Sequence, residues 1–408
     1  MLATPRSHPM TAMAEARPFH TTRSLRLLSA FMAVARLSPH LVVWVIYLTD
    51  YRGLSLAQVG VMETFFQAVK VVGQVPTGAF ADRYGRRTTF IVGVAIEGMG
   101  LLLFGLAANF PLLVVAYVFW ALGITFVQGN DGAYIYDALA AEDRTVDYPS
   151  RAGRLLAVVA ISHMAGSLIG GAVAARAGLQ WGVLTGAIPA IPALFIALSM
   201  HEPPRHGRER LPYIATLRGA FAALRARAAV RWAILFEVSL AVSMPASALL
   251  FQPFLVRHGV PVAWFGIAIL PVALGTVGGS MGSAWVVRTF GVRRAFALAL
   301  AGAAAGLAVL ATVDHLVALL AYPLLRASLA LGGPALGAYV NARTESDVRA
   351  TVLSVAPLGT ALVFSVMAAV AGILGDRDIF LAYAVLGVTL AALGGVAYAM
   401  WVRADGRE

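Results

Sequence analysis

The sequence predicts an all-α polytopic membrane protein with twelve transmembrane helices in two pseudo-symmetric six-helix bundles. Three observations predict it. About twelve apolar segments have the ~20-residue length that crosses a bilayer. The basic residues between them fall almost entirely on one side. A set of landmarks recurs at nearly one offset, of 205, 206 and 198 residues. Composition fits, since 60% of the 408 residues are hydrophobic and 12% are charged, a balance foreign to soluble domains. The chain has no cysteine, which excludes disulfides, thiol catalysis and thiolate metal sites.

The spans are expected near 27–49, 57–80, 88–107, 112–136, 154–176, 180–200, 229–256, 262–287, 293–311, 315–340, 350–374 and 379–401. They divide the chain into an N-terminal tail (1–26), a first bundle (27–200), a basic linker (201–228), a second bundle (229–401) and a C-terminal tail (402–408). Several spans contain proline (Pro245, Pro253, Pro271, Pro323, Pro334, Pro357), which membrane helices tolerate where neighbours satisfy the freed carbonyls. The first 22 residues do not read as a cleaved signal peptide, because the apolar run after them is too long and lacks a small-residue cleavage site.

Thirty of the 31 basic residues are arginine, Lys70 being the exception. Twenty-four lie in the two tails and in the loops after spans 2, 4, 6, 8 and 10. The loops on the other side hold only Arg52, Arg176, Arg257 and Arg377, and Arg36, Lys70 and Arg326 fall inside spans. By the positive-inside rule both termini are cytoplasmic. The net charge of +11 is then a topology signal, and no nucleic-acid partner is expected.

The repeat rests on three landmarks. Gly132-Ala-Tyr-Ile-Tyr-Asp-Ala ends span 4 and Gly337-Ala-Tyr-Val-Asn-Ala-Arg ends span 10. Gly85 follows span 2 and Gly291 follows span 8. Arg151-Ala and Arg349-Ala precede spans 5 and 11. A duplicated six-span unit explains all three.

Residues 76–87 read Pro-Thr-Gly-Ala-Phe-Ala-Asp-Arg-Tyr-Gly-Arg-Arg. Four charges within six residues cannot lie in hydrocarbon, so this is expected to be a tight loop between spans 2 and 3. The pattern Gly78-x-x-x-Asp82-Arg83-x-Gly85-Arg86-Arg87 resembles the loop between helices 2 and 3 of the major facilitator superfamily. The resemblance implies that family's fold, with transport by alternating access and no enzymatic activity. It also implies a conformational latch. Asp82 would meet the N-terminal end of helix 11, near Thr351, and Arg86 would pair with an acidic residue ending helix 4, here Asp137. The second copy of the loop has Arg288 where Asp82 stands, so the acid belongs to the first half alone. The family often has Glu at the position of Gln74.

Charges inside a membrane are costly and mark candidate sites. Span 2 carries Glu63, Gln67, Lys70 and Gln74 on one helical face, either a polar packing seam or a proton or substrate path. Span 1 carries Arg36, His40, Tyr47 and Tyr51 at near-helical spacing, with Trp44 beside them. Arg36 stays charged and requires an anionic partner or an anionic substrate. His40 is a titratable candidate or a packed hydrogen-bonding residue. Span 4 carries Trp120, Gln128, Asn130, Asp131 and Tyr134; Asp131 is either a proton carrier or a static partner of Arg36 or Lys70. Span 7 carries Glu237, Phe251 and Gln252; span 10 carries Tyr322 and Arg326. Glu97 in span 3 is expected to be structural, and His163 lies in span 5. Proton exporters of the resembled family usually have an arginine near position 121, where this chain has Trp120 and Ala121. Gly166-Ser-Leu-Ile-Gly170-Gly171 in span 5 resembles the glycine-rich motif of the family's antiporters, with Ser167 in place of proline. No Walker A sequence is present, and no histidine pair has metal-ligand spacing.

The resulting expectation is a secondary transporter of the plasma membrane (the inner membrane of a bacterium), a monomer whose partners are lipid, protons and a small-molecule substrate, with no cofactor and no bound metal. Its expected activity is proton-coupled efflux of a drug or secondary metabolite. Proton-coupling candidates are Asp131, Glu63, Glu237 and His40. Cavity candidates are Arg36, His40, Trp44, Tyr47, Trp120, Gln128, Asp131, Phe251, Gln252, Tyr322 and Arg326. The latch comprises Gly78, Asp82, Arg83, Gly85, Arg86, Arg87 and Asp137. An importer of an organic anion and a non-transporting receptor on the same fold remain as alternatives.

Overall fold

The computed structural model describes residues 21–204, 227–343 and 346–406, and the side chains of 346–354 are outside that description. The N-terminal tail through residue 20 and most of the 201–228 linker also lie outside it. Among the described residues, nine helical segments are long and apolar enough to cross a membrane. The segment 262–312 breaks at Gly291 and supplies spans 8 and 9. Leu56–Tyr84, made polar by Glu63, Gln67, Lys70 and Gln74, is span 2. Leu179–Leu184 and Ala190–Ser199, separated by a turn, form span 6. The others are span 1 (21–51), span 3 (Arg86–Leu106), span 4 (110–140), span 5 (Tyr148–Ala177), span 7 (228–257), span 10 (Ala321–Arg343), span 11 (Ser346–Gly375) and span 12 (Ile379–Asp405). Twelve spans result among the described residues.

Helix starts are set by local chemistry. Ser55 accepts from the Gln58 N–H (3.1 Å) while the Gln58 side chain accepts from the Ser55 N–H (3.0 Å), a reciprocal cap on span 2. Asn109 and Asp378 cap spans 4 and 12 through the Leu112 and Phe380 N–H groups. Gly85 (φ 99°) and Gly291 (φ 78°) sit between spans 2 and 3 and between spans 8 and 9, positions where a side chain would be strained. The expected 76–87 loop is shorter than its charges suggest. Span 2 stays helical to Tyr84, so Asp82 and Arg83 occupy its last turn and only Gly85 links it to span 3.

Span 1 is not one helix. Thr21–Ala35 gives way to a 3-10 turn at Pro39–Val42, then Trp44–Ile46, then a π-turn at Tyr47–Tyr51. The near-helical face of Arg36, His40, Tyr47 and Tyr51 therefore does not exist. Pro39 cannot donate to a helix ladder, and span 5 claims the space beside it. A side chain at Gly166 would lie 2.7 Å from the Ser38 nitrogen, and one at Gly170 would collide with the Pro39 carbonyl. Span 4 breaks at Gln128–Gly129 (Gly129 φ 87°) and span 7 after Leu240, ahead of Pro245.

One apolar core, including Val45, Tyr47, Phe104, Leu250 and Phe254, runs across both bundles. A second, with Phe31, Phe90, Tyr134 and Leu155, belongs to the first bundle alone. The bundles are clasped at the face opposite the Gly85 turn. Gln252 of span 7 enters the break in span 1: its Oε1 accepts from the Val45 and Ile46 N–H groups (2.9 and 3.2 Å) and its Nε2 donates to the Leu41 carbonyl (2.9 Å). Asp376, just after span 11, accepts from the Leu56 and Ala57 N–H groups at the start of span 2 (2.6 and 3.0 Å). The Thr64 hydroxyl donates to the Ser365 carbonyl at 3.0 Å. Small residues set the approach: a side chain on Gly60 would strike Ala368, and one on Gly266 would strike Ser167.

Asp376→Asn should remove the charge that favours this helix end, a loss of about 1 kcal/mol, and raise the population with the face parted roughly five-fold. Ser365→Cys in the cysteine-free chain reports it. Its alkylation by a membrane-impermeant maleimide should accelerate accordingly, and an unchanged rate counts against the clasp.

Candidate functional site

At the Gly85 turn, charge is gathered from three spans. Arg86 is buried; its Nη1 donates to Asn130 Oδ1 at 2.8 Å, its Nε to Asp137 Oδ2 at 3.4 Å, and its Nη2 lies 3.9 Å from Asp82 Oδ1. Glu202, just beyond span 6, accepts from the Arg86 and Arg87 N–H groups at 2.7 and 2.8 Å. This carboxylate caps the N-terminus of span 3, where the helix dipole favours it. It fills the space a side chain at Gly85 would need. Arg87 reaches back to the Leu198 carbonyl (2.5 Å), and Arg83 lies over the Tyr84 ring. A side chain at Gly78 would meet open space. The expected partner of Asp82 near Thr351 lies outside the described side chains.

The first bundle holds a buried polar group. Arg36 Nη1 lies 3.5 Å from Glu97 Oε1, with both side chains about nine-tenths buried. Arg36 thus has a fixed carboxylate on span 3, Glu97 in place of the expected Asp131. Glu63 is buried, within electrostatic reach of Lys70 and Tyr117. Lys70 is half-buried with its Nζ 5.8 Å from the Phe66 ring centre. His40 is buried edge-on to Trp120 at 4.8 Å, and neither ring nitrogen has a hydrogen-bond partner. Asp131 is half-buried in the first turn of the helix Asn130–Ala140, where its Oδ1 accepts from the Gly132 N–H at 2.8 Å. Gln128 is exposed at the break in span 4.

The second bundle contains a cavity of about 220 Å³ whose wall includes Glu237, Met244, Thr276, Arg326, Leu329 and Thr360. It brings together Glu237 and Arg326, which the sequence placed on separate spans. Glu237 Oε2 is buried without a hydrogen-bond partner and packs against Gly332, where no side chain fits. Arg326 Nε donates to Thr276 Oγ1 at 3.3 Å.

The aromatic candidates lie elsewhere. Tyr47 is fully buried and donates to the Phe104 and Gly105 carbonyls. Trp120 and Trp44 pack on Tyr117. Tyr322 shares a 2.6 Å hydrogen bond with Tyr383, and Phe251 stands edge-on to it at 4.9 Å. Gln252 serves the clasp. In this arrangement these side chains are core. Glu202 and Asp376 were missed because each lies just beyond a span, where a carboxylate looks like an ordinary loop charge. For Glu202 the usable signal was the start of span 3, where Gly85 offers no side-chain cap, whereas span 2 already carries its own Ser55 cap and gave no sign of Asp376.

A model of the Major Facilitator Superfamily matches residues 26–362. Among curated proteins, the uncharacterized MFS-type transporter YxaM of Bacillus subtilis is 26% identical over 102 residues, 25% of each chain. Multidrug resistance protein 1 of the same organism is 23% identical over 153 residues, 38% of each chain. The chain thus spans about a quarter to two-fifths of the length of these relatives. Solved structures of similar fold include the nucleoside transporter NupG (TM-score 0.72, 13% identity, 93% of this chain and 99% of that one). The D-xylose–proton symporter scores 0.70 with 15% identity, covering 94% and 98%. A bacterial homolog of the human lysosomal transporter Spinster, inward-facing and unoccupied, scores 0.68 with 18% identity, covering 95% and 99%.

Glu97→Gln leaves Arg36 as a buried unpaired cation and should destabilise the protein by about 3–5 kcal/mol, while the double variant Arg36→Met, Glu97→Met should regain most of that. Thermal unfolding in detergent, followed by tryptophan fluorescence, measures both. Equal losses in the single and double variants would show that the pair is not what matters.

Proposed function

Because the chain belongs to the major facilitator superfamily, we propose that it is a secondary transporter that exports a small organic molecule, a drug or secondary metabolite, in exchange for protons. The two bundles rock against each other around a midplane site. The observation that carries the export reading is the glycine face of span 5. Gly166 and Gly170 seat the broken part of span 1, while Gly171 lies against Gly266 of the other bundle (3.1 Å from a built side chain to its nitrogen). The antiporter-like motif therefore sits at the joint between the halves, where it can seal one face during exchange. The partial match to a multidrug resistance protein supports the same direction.

The basic face is read as cytoplasmic, by the arginine asymmetry, with the protein a monomer in the plasma membrane. The clasp on the opposite face then corresponds to an inward-facing state. Asp131 and Glu63 are assigned to the proton, with His40 too enclosed in aromatic packing to exchange readily. Arg86 is held with Asp137, Asn130 and Asp82 inside the first bundle, and from this cluster Asp82 is assigned to latch the second bundle when the cytoplasmic face closes. The anion-importer reading needed two unpaired arginines, and Arg36 is committed to Glu97.

Cells with and without the gene, grown against a compound library, identify an exported compound. In everted vesicles with an acidified lumen, that compound should accumulate. Asp131→Asn should cut gradient-driven uptake by about 100-fold while leaving exchange of compound across the membrane. Undiminished uptake by the variant would sink the assignment of Asp131. Arg86→Ala should loosen the outward-facing state without abolishing binding, seen as faster cytoplasmic-side labelling of a cysteine at Gln128. Slower binding with unchanged labelling would contradict a latch.

A further inference from the structure

The charges of the two bundles are treated differently. In the first, Arg36 is neutralised by Glu97, and Lys70 lies in the field of Glu63. In the second, Glu237 and Arg326 share one cavity wall, and no ion pair joins them among the described residues. Each is held apart from the other. Glu237 is pressed against the backbone of Gly332 and Gly333, and Arg326 is turned to Thr276 on span 8. A buried carboxylate oxygen without a partner and a guanidinium with one neutral partner both leave strong hydrogen-bonding capacity unused. The rest of the wall is apolar or weakly polar: Met244, Leu329 and Thr360. At about 220 Å³ the space lies below the ~300–1,000 Å³ of drug-sized pockets.

We propose that the substrate is a compact amphoteric molecule, whose protonated amine is taken by Glu237, whose acid group is taken by Arg326, and whose apolar body rests on Met244 and Leu329. The chemistry follows from the inventory. A carboxylate accepts only, a guanidinium donates only, and a ligand satisfying both must carry a donor cation at one end and an acceptor anion at the other. A purely cationic ligand would leave Arg326 unanswered, and a purely anionic one would leave Glu237 so, each at the penalty of a buried unpaired charge. This rests on the transporter reading above, but not on direction or proton coupling.

The test uses the purified full-length chain in detergent and matched triplets on benzyl, indolyl and naphthyl cores. Each core is offered as the free amino acid, its N-acetyl acid and its primary amide, with binding measured by microscale thermophoresis. At least one amino acid should bind about ten-fold or more tighter than both singly charged relatives. Glu237→Gln should erase that advantage over the N-acetyl acid, and Arg326→Gln the advantage over the amide. Since neither charge is paired, the ligand-free thermal stability of Glu237→Gln should not fall, which separates loss of recognition from loss of fold. Singly charged members binding as tightly as the amino acids, or no amino acid binding at all, would overturn the proposal. The assay needs no gradient, so export failing in vesicles while amino-acid selectivity persists would reject the export reading alone.

Discussion

A helix that stops inside a bilayer exposes N–H and C=O groups that lipid cannot satisfy, and this protein stops several of them there. The breaks in spans 1, 4, 6 and 7 must each be completed from within the protein. Span 1 shows how. The Val45 and Ile46 N–H groups and the Leu41 carbonyl are met by one amide, Gln252, from the opposite bundle. Because that amide belongs to the other half, completing a local helix also joins the two bundles. The same logic places Asp376 on the start of span 2 and Glu202 on the start of span 3. Both are carboxylates from a distant span set where helix dipoles favour negative charge.

Lipid also removes the usual hydrophobic drive between helices, so close approach has to come from shape. The seam between the bundles is therefore written in glycine: Gly60 and Gly372 between spans 2 and 11, and Gly171 and Gly266 between spans 5 and 8. Such contacts gain dispersion energy only while surfaces match. Hydrogen bonds from Gln252 and Asp376 add direction to an otherwise smooth joint. A joint of this kind separates along a plane without unfolding either side, which rocking requires.

How much of this was legible depends on which forces leave marks in single residues. Hydrocarbon length marks spans, so all twelve could be placed, and φ-positive turns mark glycine, so Gly85 and Gly291 exposed the repeat. The Arg86 cluster was visible because four charges near one turn have no other use in a membrane. Aromatic residues carry no such mark. Tyr47, Trp120 and Tyr322 serve a packed core or a cavity with equal ease, and only the three-dimensional packing separates the two. The break at Pro39 invalidated the helical face drawn through Arg36 and Tyr51, and with it the orientation of both. Glu97 looked peripheral on its own span. Its meaning came from Arg36, sixty-one positions earlier.

Charge pairing then divides the molecule by role. A buried ion pair is expensive to form and more expensive to break, so a fixed pair such as Arg36 with Glu97 belongs to parts that stay the same through the cycle. An unmatched pair of opposite charges facing one cavity has the reverse property. It holds unspent interaction that a ligand can claim, and water or a proton can occupy it in the ligand's absence. Pseudo-symmetry makes the contrast sharper, since position 326 in the second bundle corresponds to Ala121 in the first. Duplication supplied two equivalent frames, and only the second placed a guanidinium there. The Arg36–Glu97 pair is thereby suited to stay fixed within the first bundle, and the second carries the cavity whose occupancy by substrate changes as the two halves move.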